Sequence, residues 1–494
     1  MTIRYKILYT LCMFILSIQI CIGQPLPKHD SCQTNFTLDS IKPIKKRPLI
    51  AISEAITLNM GVWLFDKYVL KADYANIDWE SIKYNFKTGF VWDNDSFSIN
   101  LLSHPYHGNL YYNSARSNGL NFFESFAVAT GSSLMWEMFM ETEPSSINDF
   151  FSAIGGTALG EVMFRISSLI LDDSKRGRKR VSREVTAALV SPMRAFNRLT
   201  QGEIGNVHTY NTFESERQPF KVTAGVAWRY LAKNNHLFRG DNGMAINLTM
   251  EYGDPFYNDN YKPFDYFSLK AMFNIFGGQP AVGSINAIGM LWGRSFVPME
   301  GHDMTVGIFQ HYDFYQSSEL KKSSVVPYEI AQTAAIGGGV MYKFPQIGDK
   351  INMSYNIHAN LIIMGGSLTD NFVIEDRDYN MGSGFSAKFN SLLEFGDKAS
   401  FYVGVEHYRL YTWKGYPNEP NPIPPGIDIR DLNAQGNKGH TLLTIINPRL
   451  DLSLSNKLKL GFNPFIYIRD SYYKHFDDVT YRTFETRFLL TYQF

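Results

Sequence analysis

Hydrophobic and polar residues alternate along the last stretch of the chain, Asp478–Phe494. The polar face of this stretch has one apolar exception, Leu489, and the apolar face carries Phe484, Thr486, Phe488, Leu490, Tyr492 and Phe494. A period of two is that of a β-strand with one apolar and one polar surface. An apolar face that ends on an aromatic residue is typical of a strand in contact with lipid. We therefore predict that this strand closes a transmembrane antiparallel β-barrel.

The same alternation recurs along the chain from about residue 219 onward. Most of the alternating segments are longer than a typical globular strand and suit a tilted membrane crossing. We predict about twelve strands and a barrel domain of residues 219–494, with approximate strand bounds of 219–231, 243–252, 264–276, 283–296, 302–313, 328–343, 351–363, 380–395, 399–412, 439–453, 457–469 and 478–494.

The connections between these segments alternate in length. Those after even-numbered strands are mostly short: 297–301, 344–350, 396–398 and 454–456. Those after odd-numbered strands are mostly long: 314–327, 364–379 and 413–438. Two connections break the alternation, since 253–263 follows an even-numbered strand and is fairly long, and 277–282 follows an odd-numbered strand and is short. Short periplasmic turns and long outer loops are typical of outer-membrane barrels. An even strand number places both barrel ends, and the domain before the barrel, on the periplasmic side. A soluble sandwich or propeller is the alternative.

Before the barrel, the apolar spacing changes to that of an α-helix. Residues 49–200 form a predicted helical domain, in which 120–140 and 147–171 are the clearest helices. Residues 93–113 are rich in turn formers and aromatic residues, and His104–His107 is predicted to lie in a loop. Both clear helices carry acidic residues, so we place the domain in the periplasm or against the barrel and not across a bilayer. Ser152, Gly156 and Gly160 are four residues apart, which favours close approach to another backbone.

The segments that flank the helical domain are a signal peptide, a tether and a linker. In residues 1–23, a basic start is followed by a mostly apolar run, as in a secretory signal peptide. The alternative is a lipoprotein signal, in which Cys21 would carry the lipid. Residues 24–48 are a polar, proline-containing tether, and residues 201–218 are a linker. Once the signal is removed, Cys32 is the last cysteine, so no internal disulfide or cysteine-based metal site is expected.

Composition agrees with an amphipathic barrel. Charged residues make up 19% and aromatic residues 15% of the chain, which is fewer charges than a globular protein usually has. Lys plus Arg and Asp plus Glu are equal at 47 each, so the net charge gives no reason to expect nucleic acid. No segment after the signal offers about 18 apolar residues free of charge, so no membrane helix is expected.

The helical domain carries the candidate chemistry. His104 and His107 are three residues apart, and Tyr112, Arg116 and Asn118 follow as candidate binding residues. The downstream acids are Glu137, Glu141, Asp149 and Glu161. Imidazoles with carboxylates are the groups of metal sites and of acid–base catalysis. The two histidines and the four acids are therefore catalytic candidates, and the metal candidates are His104, His107 and Glu137.

The alternative for these residues is structural. The histidine spacing matches no established metal or catalytic pattern. Buried polar side chains between helices often cap backbone groups instead of catalysing. The helix after Pro144 starts with Ser146 and Asp149, a variant of the capping box. Polar contacts that join the helices to the loop and the barrel are therefore the interpretation that we favour, and the cofactor stays unknown.

Two further charged features have open roles. The basic run Lys175–Arg180 suits lipid phosphates at the membrane surface or a solvated linker. Within the strands, charges of both signs suggest a lumen that is cross-linked or plugged, and the positions that we predict to face it are Lys388, Asn390, Glu406, Arg449 and Asp451. The sequence contains no Gly-x-Ser-x-Gly elbow and no phosphate-binding glycine loop.

The span from about residue 49 to 199 resembles the family called domain of unknown function 3943. The resemblance is carried by GVWLFDKYV, WDNDSF, HPYHGNLYYNSARSNG, FFESF, WEMFMETEPSSINDFFSAIGGTALGE and SPMRAFNRL. It implies a Gram-negative envelope protein with a C-terminal barrel and implies no activity. It also implies that family function would be associated with His104, Tyr112, Arg116, Glu137, Glu141, Asp149 and Glu161.

We predict an outer-membrane barrel with a transport or structural role, in which the helical domain plugs or gates the lumen. The first alternative is a lipid-modifying hydrolase of the outer membrane, for which His407 with Glu406, and His358, are the barrel residues to test. The second is a surface-binding protein that uses the loop 413–438. The expected partners are outer-membrane lipids and the barrel insertion machinery, with Phe494 and Tyr492 as the assembly signal.

Overall fold

A computed structural model describes most of the chain, and its ranges are residues 45–92, 95–209, 211–213, 218–233, 237–256, 261–320, 326–348, 350–371, 379–416 and 435–494. The side chains of Asn148, Asp149 and Ser152 are outside this description. The predicted signal peptide, Cys32 and most of the tether lie outside the described residues, as does most of the loop 413–438.

Twelve strands form one closed antiparallel barrel, in which β1 pairs with both β2 and β12. The strands are β1 (Phe220–Lys233), β2 (Asp241–Tyr252), β3 (Phe267–Phe276), β4 (Val282–Phe296), β5 (Asp303–Gln316), β6 (Glu329–Lys343), β7 (Ile351–Leu368), β8 (Tyr379–Phe395), β9 (Ala399–Thr412), β10 (Gly439–Ser453), β11 (Leu458–Tyr473) and β12 (Val479–Gln493). The predicted barrel is confirmed. Closure by the last strand leaves no unpaired sheet edge for another chain to join.

The described part also contains seven α-helices before the barrel. They are α1 (Pro48–Phe65), α2 (Trp79–Thr88), α3 (His104–Ser117), α4 (Phe122–Phe139), α5 (Ile147–Ile170), α6 (Gly177–Val190) and α7 (Pro192–Thr200). Each of α2 and α4 begins with a capping box, at Asp78 and Asn121, which satisfies free backbone N–H groups. At Ser146, by contrast, the side chain makes no cap hydrogen bond.

The prediction that residues 104–107 lie in a loop is wrong, because they form the first turn of α3. Pro105 suits the first turn of a helix, where its missing N–H is not needed. The start of α3 packs closely on α5, because a Cβ on Gly156 would lie only 2.6 Å from the carbonyl oxygen of Pro105. Tertiary packing therefore stabilises a helix that its glycine and asparagine residues do not favour.

Side chains on the strands alternate between the lumen and the outer wall. On β5, Val306 and Ile308 are exposed on the outer wall, and Gln310, Tyr312 and Phe314 have the same parity. Asp313 has the opposite parity and pairs with Lys388 of β8. Because β5 and β8 are not neighbours in the sheet, this pair can form only across the lumen. The predicted lumen position of Lys388 is confirmed.

The helices pack against the outer wall. Gln310 donates a hydrogen bond to the carbonyl oxygen of Ile154 (2.8 Å), and Tyr312 donates one to that of Leu101 (2.8 Å). The ring of Phe314 lies 5.4 Å from that of Phe97. All three barrel residues face outward, so the main apolar core of the protein lies between the helices and the outside of the barrel.

This packing differs from the plug expected from the sequence. Among the described residues, the polar contacts across the lumen join side chains of the barrel itself, such as Arg229 with Tyr328 and Arg469 with Asp370. The outer side is favoured because α5 presents a small-residue surface to the strands. A Cβ on Gly155 would overlap with the carbonyl oxygen of Thr333 on β6.

Two helical segments are long and apolar enough to cross a membrane by length and composition, Pro48–Leu70 and Ala153–Ile170. Neither segment is free of charge, since the first contains Glu54 and the second contains Glu161 and Arg165. Within Pro48–Phe65 the charged residue is Glu54, and a search for segments without any charge therefore excludes this helix. The second segment is 78% buried within the protein, whereas the first is 22% buried.

Candidate functional site

A buried charge cluster occupies the centre of the helical domain. The carboxylate of Glu161 on α5 is fully buried and accepts hydrogen bonds from Arg116 of α3 (2.7 and 2.9 Å) and Tyr112 of α3 (2.6 Å). Arg165, one turn along α5, donates a further bond (2.8 Å). Three of the candidate residues therefore meet, and Arg165 joins them, so that two cations and a phenol surround one carboxylate. Pairing and hydrogen bonding offset the desolvation of these charges.

The cluster extends to the barrel through Arg165. Its guanidinium pairs with Asp265 (3.0 Å) and donates to the carbonyl oxygen of Pro263 (2.8 Å), both in the connection between β2 and β3. Beside it, the ring of Phe122 stacks on Phe264 of the same connection, with centroids 5.6 Å apart. The cluster thus links the helical domain to the barrel, and its central carboxylate, that of Glu161, is fully buried.

The two candidate histidines have different surroundings. His104 Nε2 lies 3.2 Å from Asp95 Oδ2 near the protein surface. The His107 ring contacts two other rings, and its centroid lies 4.6 Å from that of Tyr111 and 5.6 Å from that of Trp136. His107 therefore has the contacts of a packed core side chain. Within the described ranges, no three His, Cys, Asp or Glu side chains lie close enough together to hold a metal ion.

Glu137 and Glu141 organise the turn that joins α4 to α5. Glu137 is buried and accepts a hydrogen bond from the backbone N–H of Ser146, while its own carbonyl oxygen accepts one from the Ser145 hydroxyl (2.9 Å). Glu141 accepts one from the indole of Trp136. These contacts are those of capping groups. The bonds of His104 and Glu137 run to different partners, and any catalytic or metal role for them stays a prediction.

Asn118 belongs to a second buried cluster, around Glu54 of α1. Its amide donates to Glu54 (2.9 Å), and Asn197 of α7 donates to the same carboxylate (3.0 Å). Gln201 donates to Asn118 Oδ1 (3.0 Å). Glu54 and Asn197 were not among the predicted residues. The available signal was an acid in an otherwise apolar helix, which must turn inward.

The basic run 175–180 is partly buried at the start of α6. Arg180 pairs with Asp173 and Glu184, each at 2.9 Å, whereas Arg176 and Lys179 are exposed. Burial raises the pKa of nearby Asp172, but hydrogen bonds from Ser174 outweigh it and lower that pKa below its ordinary value. The run is therefore a charged face whose inner members are fixed by ion pairs.

The lumen contains the other group of buried charges. Arg229 of β1 pairs with Glu485 of β12 (2.6 Å), and both are buried. Asp313 pairs with Lys388 and accepts from Tyr408 of β9 (3.0 Å). These residues were missed, apart from Lys388, although each lies at a polar position of an alternating strand. Parity alone marks a residue as inward and cannot choose its partner.

A third lumen contact involves the connection that follows β7. Asp370 accepts two hydrogen bonds from Arg469 of β11 (2.6 and 2.7 Å) and one from Tyr473 (2.7 Å). The paired guanidinium and carboxylate form a bidentate contact, which is strong and orientation-specific. It fixes the start of this connection to the opposite part of the barrel wall.

The barrel histidines proposed for the hydrolase alternative are separated. His407 lies on the outer wall, where its Nδ1 is 2.9 Å from the hydroxyl of Thr444. Glu406 has the opposite parity and bonds Tyr315 (2.9 Å) inside the lumen. His358 faces the lumen beside His311, with ring centroids 5.1 Å apart. Glu406 therefore cannot orient His407 as the third member of a catalytic set.

Comparison with known proteins agrees with the sequence-based resemblance. Residues 89–193 match the family model described as "Domain of unknown function (DUF3943)", so the predicted resemblance is confirmed over that span. The cluster residues Tyr112, Arg116 and Glu161 all lie in it. No curated protein matches the chain.

Solved structures with a similar fold are outer-membrane channels. They include the KdgM porin (9% identity, 55% of this chain and 99% of that chain, TM-score 0.22) and the channel DcaP of Acinetobacter baumannii (10%, 56% and 96%, TM-score 0.22). The Pseudomonas putida toluene transporter TodX is another (7%, 56% and 88%, TM-score 0.22). Identities and scores this low give no argument about function. The closed barrel with its apolar outer wall is an outer-membrane barrel.

Proposed function

We propose that this protein has a structural role, as a closed outer-membrane barrel that holds the family domain at its outer wall. The observation that carries this proposal is the set of buried ion pairs in the lumen: Arg229 with Glu485, Lys388 with Asp313, and Arg469 with Asp370. They join strands and connections that are not all neighbours, so they hold opposite parts of the wall together.

An open lumen would separate these paired charges. Removing one partner of a buried pair leaves an uncompensated charge, which costs about 3–5 kcal/mol. Several such pairs act together here, and each has further hydrogen bonds, such as that from Tyr328 to Glu485 (3.5 Å). In a conducting lumen, charged side chains of this kind would be hydrated and separated by water.

Lipid-bilayer recordings test this role. The full-length protein, reconstituted in a planar bilayer, is expected to give no stable conductance. The double variant Asp313→Ala with Lys388→Ala removes one lumen pair without leaving an orphan charge, and it is expected to conduct. The matched control removes the outward pair Arg482 and Asp470 (2.9 Å) and should stay closed. Steady wild-type conductance would contradict the structural role and favour transport.

We also propose that both barrel ends lie on the periplasmic side. The support is the even strand number, which returns the chain to the end of the barrel from which it started. In the same orientation, Tyr492 and Phe494 at the end of the chain are the segment for the barrel insertion machinery to recognise. Protease added outside intact cells should then leave a cleavage site inserted in the short β10–β11 connection uncut, and cleavage at that site would reverse the orientation.

The second candidate function is the lipid hydrolase. The observation in its favour is the contact between His407 and the Thr444 hydroxyl on the wall that faces lipid, because a base within reach of a hydroxyl is the start of a nucleophilic site. It lacks a carboxylate that orients the histidine within the described residues. The surface-binding alternative depends on the loop 413–438, most of which lies outside them.

A further inference from the structure

The helical domain covers the outer wall over the full height of the barrel. Phe151, near the start of α5, contacts Trp413, which directly follows the end of β9 (6.2 Å between centroids). Arg165, near the end of α5, lies over the ring of Tyr252, the last residue of β2 (5.6 Å). Odd and even strands of an antiparallel barrel end at opposite rims. The helix α5 therefore runs from one rim to the other.

A row of paired strand residues joins the part of the wall under α5 to the bare part of the wall. Tyr252 is in register with Phe267, and the same row continues through Gly289, Gln310, Ile336, Leu361, Phe385 and Arg409. Because barrel strands are tilted, a row perpendicular to them climbs from one rim toward the other. Outward residues away from the helices, such as Leu361 and Phe462, are exposed and apolar. The covered wall is thus at the height of the lipid.

The outer surface of α1 is mostly apolar as well. On α1, the exposed side chains include Leu49, Ile52, Ile56, Met60 and Leu64. The one charged side chain of this helix, Glu54, is turned inward and is 6% exposed. A helix next to water carries charges on its outer face, whereas a helix next to lipid buries them.

The length and ends of α1 also suit a bilayer. Its 18 residues span about 27 Å, close to the apolar band of about 25 Å on outer-membrane barrels. Lys45, Lys46 and Arg47 precede it, and Asp66 and Lys67 follow it. Long cationic side chains at a helix end reach the polar interface while the helix stays in the hydrocarbon.

The helix α1 runs from one rim of the barrel toward the other. Lys46, just before α1, pairs with Glu124 at the start of α4 (2.7 Å), and Asn59 of α1 donates to the carbonyl oxygen of Ser132 of α4 (3.1 Å). The helices α1 and α4 therefore run side by side in the same direction. Phe122 at the start of α4 contacts the β2–β3 connection, so α1 begins at that rim and extends toward the other.

We propose that the helical domain is embedded in the outer membrane, with the exposed face of α1 against lipid acyl chains. The domain takes the place of the lipid that would otherwise contact the covered strands, and its own apolar face continues the lipid-facing surface of the barrel. This inference goes beyond the structural role proposed above and refines the periplasmic placement expected from the sequence, because only the segments at that rim would lie in the periplasm.

Site-directed spin labelling in liposomes tests the placement. Labels are introduced by Ile56→Cys and Met60→Cys, with the native cysteines 12, 21 and 32 replaced by serine. Leu361→Cys on the bare wall is the lipid reference, and Glu300→Cys in the β4–β5 connection is the water reference. Accessibility to molecular oxygen and to a water-soluble nickel chelate is then measured. In a bilayer, the oxygen-to-nickel ratio at 56 and 60 should match that at 361.

Two other outcomes would overturn the proposal. A ratio that matches position 300 would place the face of α1 in water. Low accessibility to both reagents would mean that a second copy or another protein covers the face. Neither outcome bears on whether the lumen conducts, so the failure of this inference is distinguishable from failure of the closed-barrel role.

Discussion

Arg229 on the first strand of the barrel pairs with Glu485 on the last, with 2.6 Å between Nε and Oε1. Register places Arg229 opposite Arg487 and Leu231 opposite Glu485, so the pair is diagonal across the seam that closes the barrel. Glu485 also accepts a hydrogen bond from Arg487 and one from Tyr467 (3.1 Å). Two cations therefore depend on one buried carboxylate at this seam.

Replacement of Glu485 by alanine should destabilise the barrel strongly. It leaves Arg229 and Arg487 buried without their shared anion, and a loss of about 3–5 kcal/mol in the free energy of unfolding is expected. Urea titration in detergent micelles, followed by tryptophan fluorescence, measures it. The control is Asp470→Ala, which removes the partner of Arg482 in a more exposed pair and should change stability by about 0–1 kcal/mol. Equal effects would contradict a special role for the seam.

Replacement of Glu161 by alanine should loosen the helical domain from the barrel. The substitution leaves Arg116 and Arg165 without their shared carboxylate, and Arg165 is the residue that contacts Asp265. Limited proteolysis should then cut within residues 45–200 several times faster than in the wild type. The control is Glu80→Ala, whose pair with Lys83 on α2 is exposed and whose loss should leave the cleavage rate unchanged. Wild-type protection of the Glu161 variant would show that apolar packing alone holds the domain.

Substitution of Gly155 by valine should disturb the contact between α5 and the barrel. A Cβ there would overlap with the carbonyl oxygen of Thr333, and overpacking of a tight contact costs about 1–3 kcal/mol. Gly131 of α4 is the matched control, since a Cβ there meets nothing within 4 Å. Gly131→Ala should stabilise the helix by about 0.5–1 kcal/mol. Unfolding midpoints of the two variants should therefore shift in opposite directions, and a neutral Gly155 variant would argue against the packing.

Deletion of Phe494 should lower the amount of folded barrel in the outer membrane several-fold. Its backbone N–H bonds the carbonyl oxygen of Val222 (3.0 Å), and its ring packs against Tyr492 (5.1 Å). The deletion removes a pairing contact of the seam as well as the proposed assembly signal. Heat-modifiable migration of membrane fractions on gels reports the folded amount. Phe238→Ala, at a fully exposed position, should have no effect. Normal levels after deletion would remove the proposed signal.

A strain that carries His104→Ala, His107→Ala and His407→Ala should keep the lipid profile of the wild type. His104 and His107 bond or pack within the helical domain, and His407 lacks an orienting carboxylate within the described residues. Mass spectrometry of extracted outer-membrane lipids makes the comparison, with Phe238→Ala as the neutral reference. A reproducible change in acyl-chain composition would instead support the hydrolase alternative and direct attention to the contact with Thr444.

Much of the barrel could be predicted from the sequence, because strand periodicity is a local property. The alternation of Asp478–Phe494 and the lengths of the connections depend on neighbouring residues only, and they led to the observed twelve strands. Tyr112, Arg116 and Glu161 were also singled out, since charged and phenolic side chains among apolar residues need partners. The predicted resemblance to the family was confirmed over residues 89–193, which contain these three residues.

The helical part was less accessible to local reasoning. The segment 104–117 has weak helix formers, and it is a helix because Gly108 and Gly156 let α3 and α5 approach closely. Glu54 was passed over although it is the one charge in α1. A single acid excluded that helix as a membrane segment, and only the positions of Asn118 and Asn197 explain how its carboxyl group is satisfied by hydrogen bonds.

The sequence by itself determined that this chain closes a twelve-stranded barrel and which strand positions face inward, because a period of two alternates the two faces. Only the tertiary structure decided that Arg229 meets Glu485, that Asp313 meets Lys388, and that the helices lie on the outer wall. Those contacts join residues far apart in sequence, and barrel closure and strand register bring them together. The inward positions offer many charges of both signs, so their pairing is fixed by three-dimensional distance and not by any local pattern.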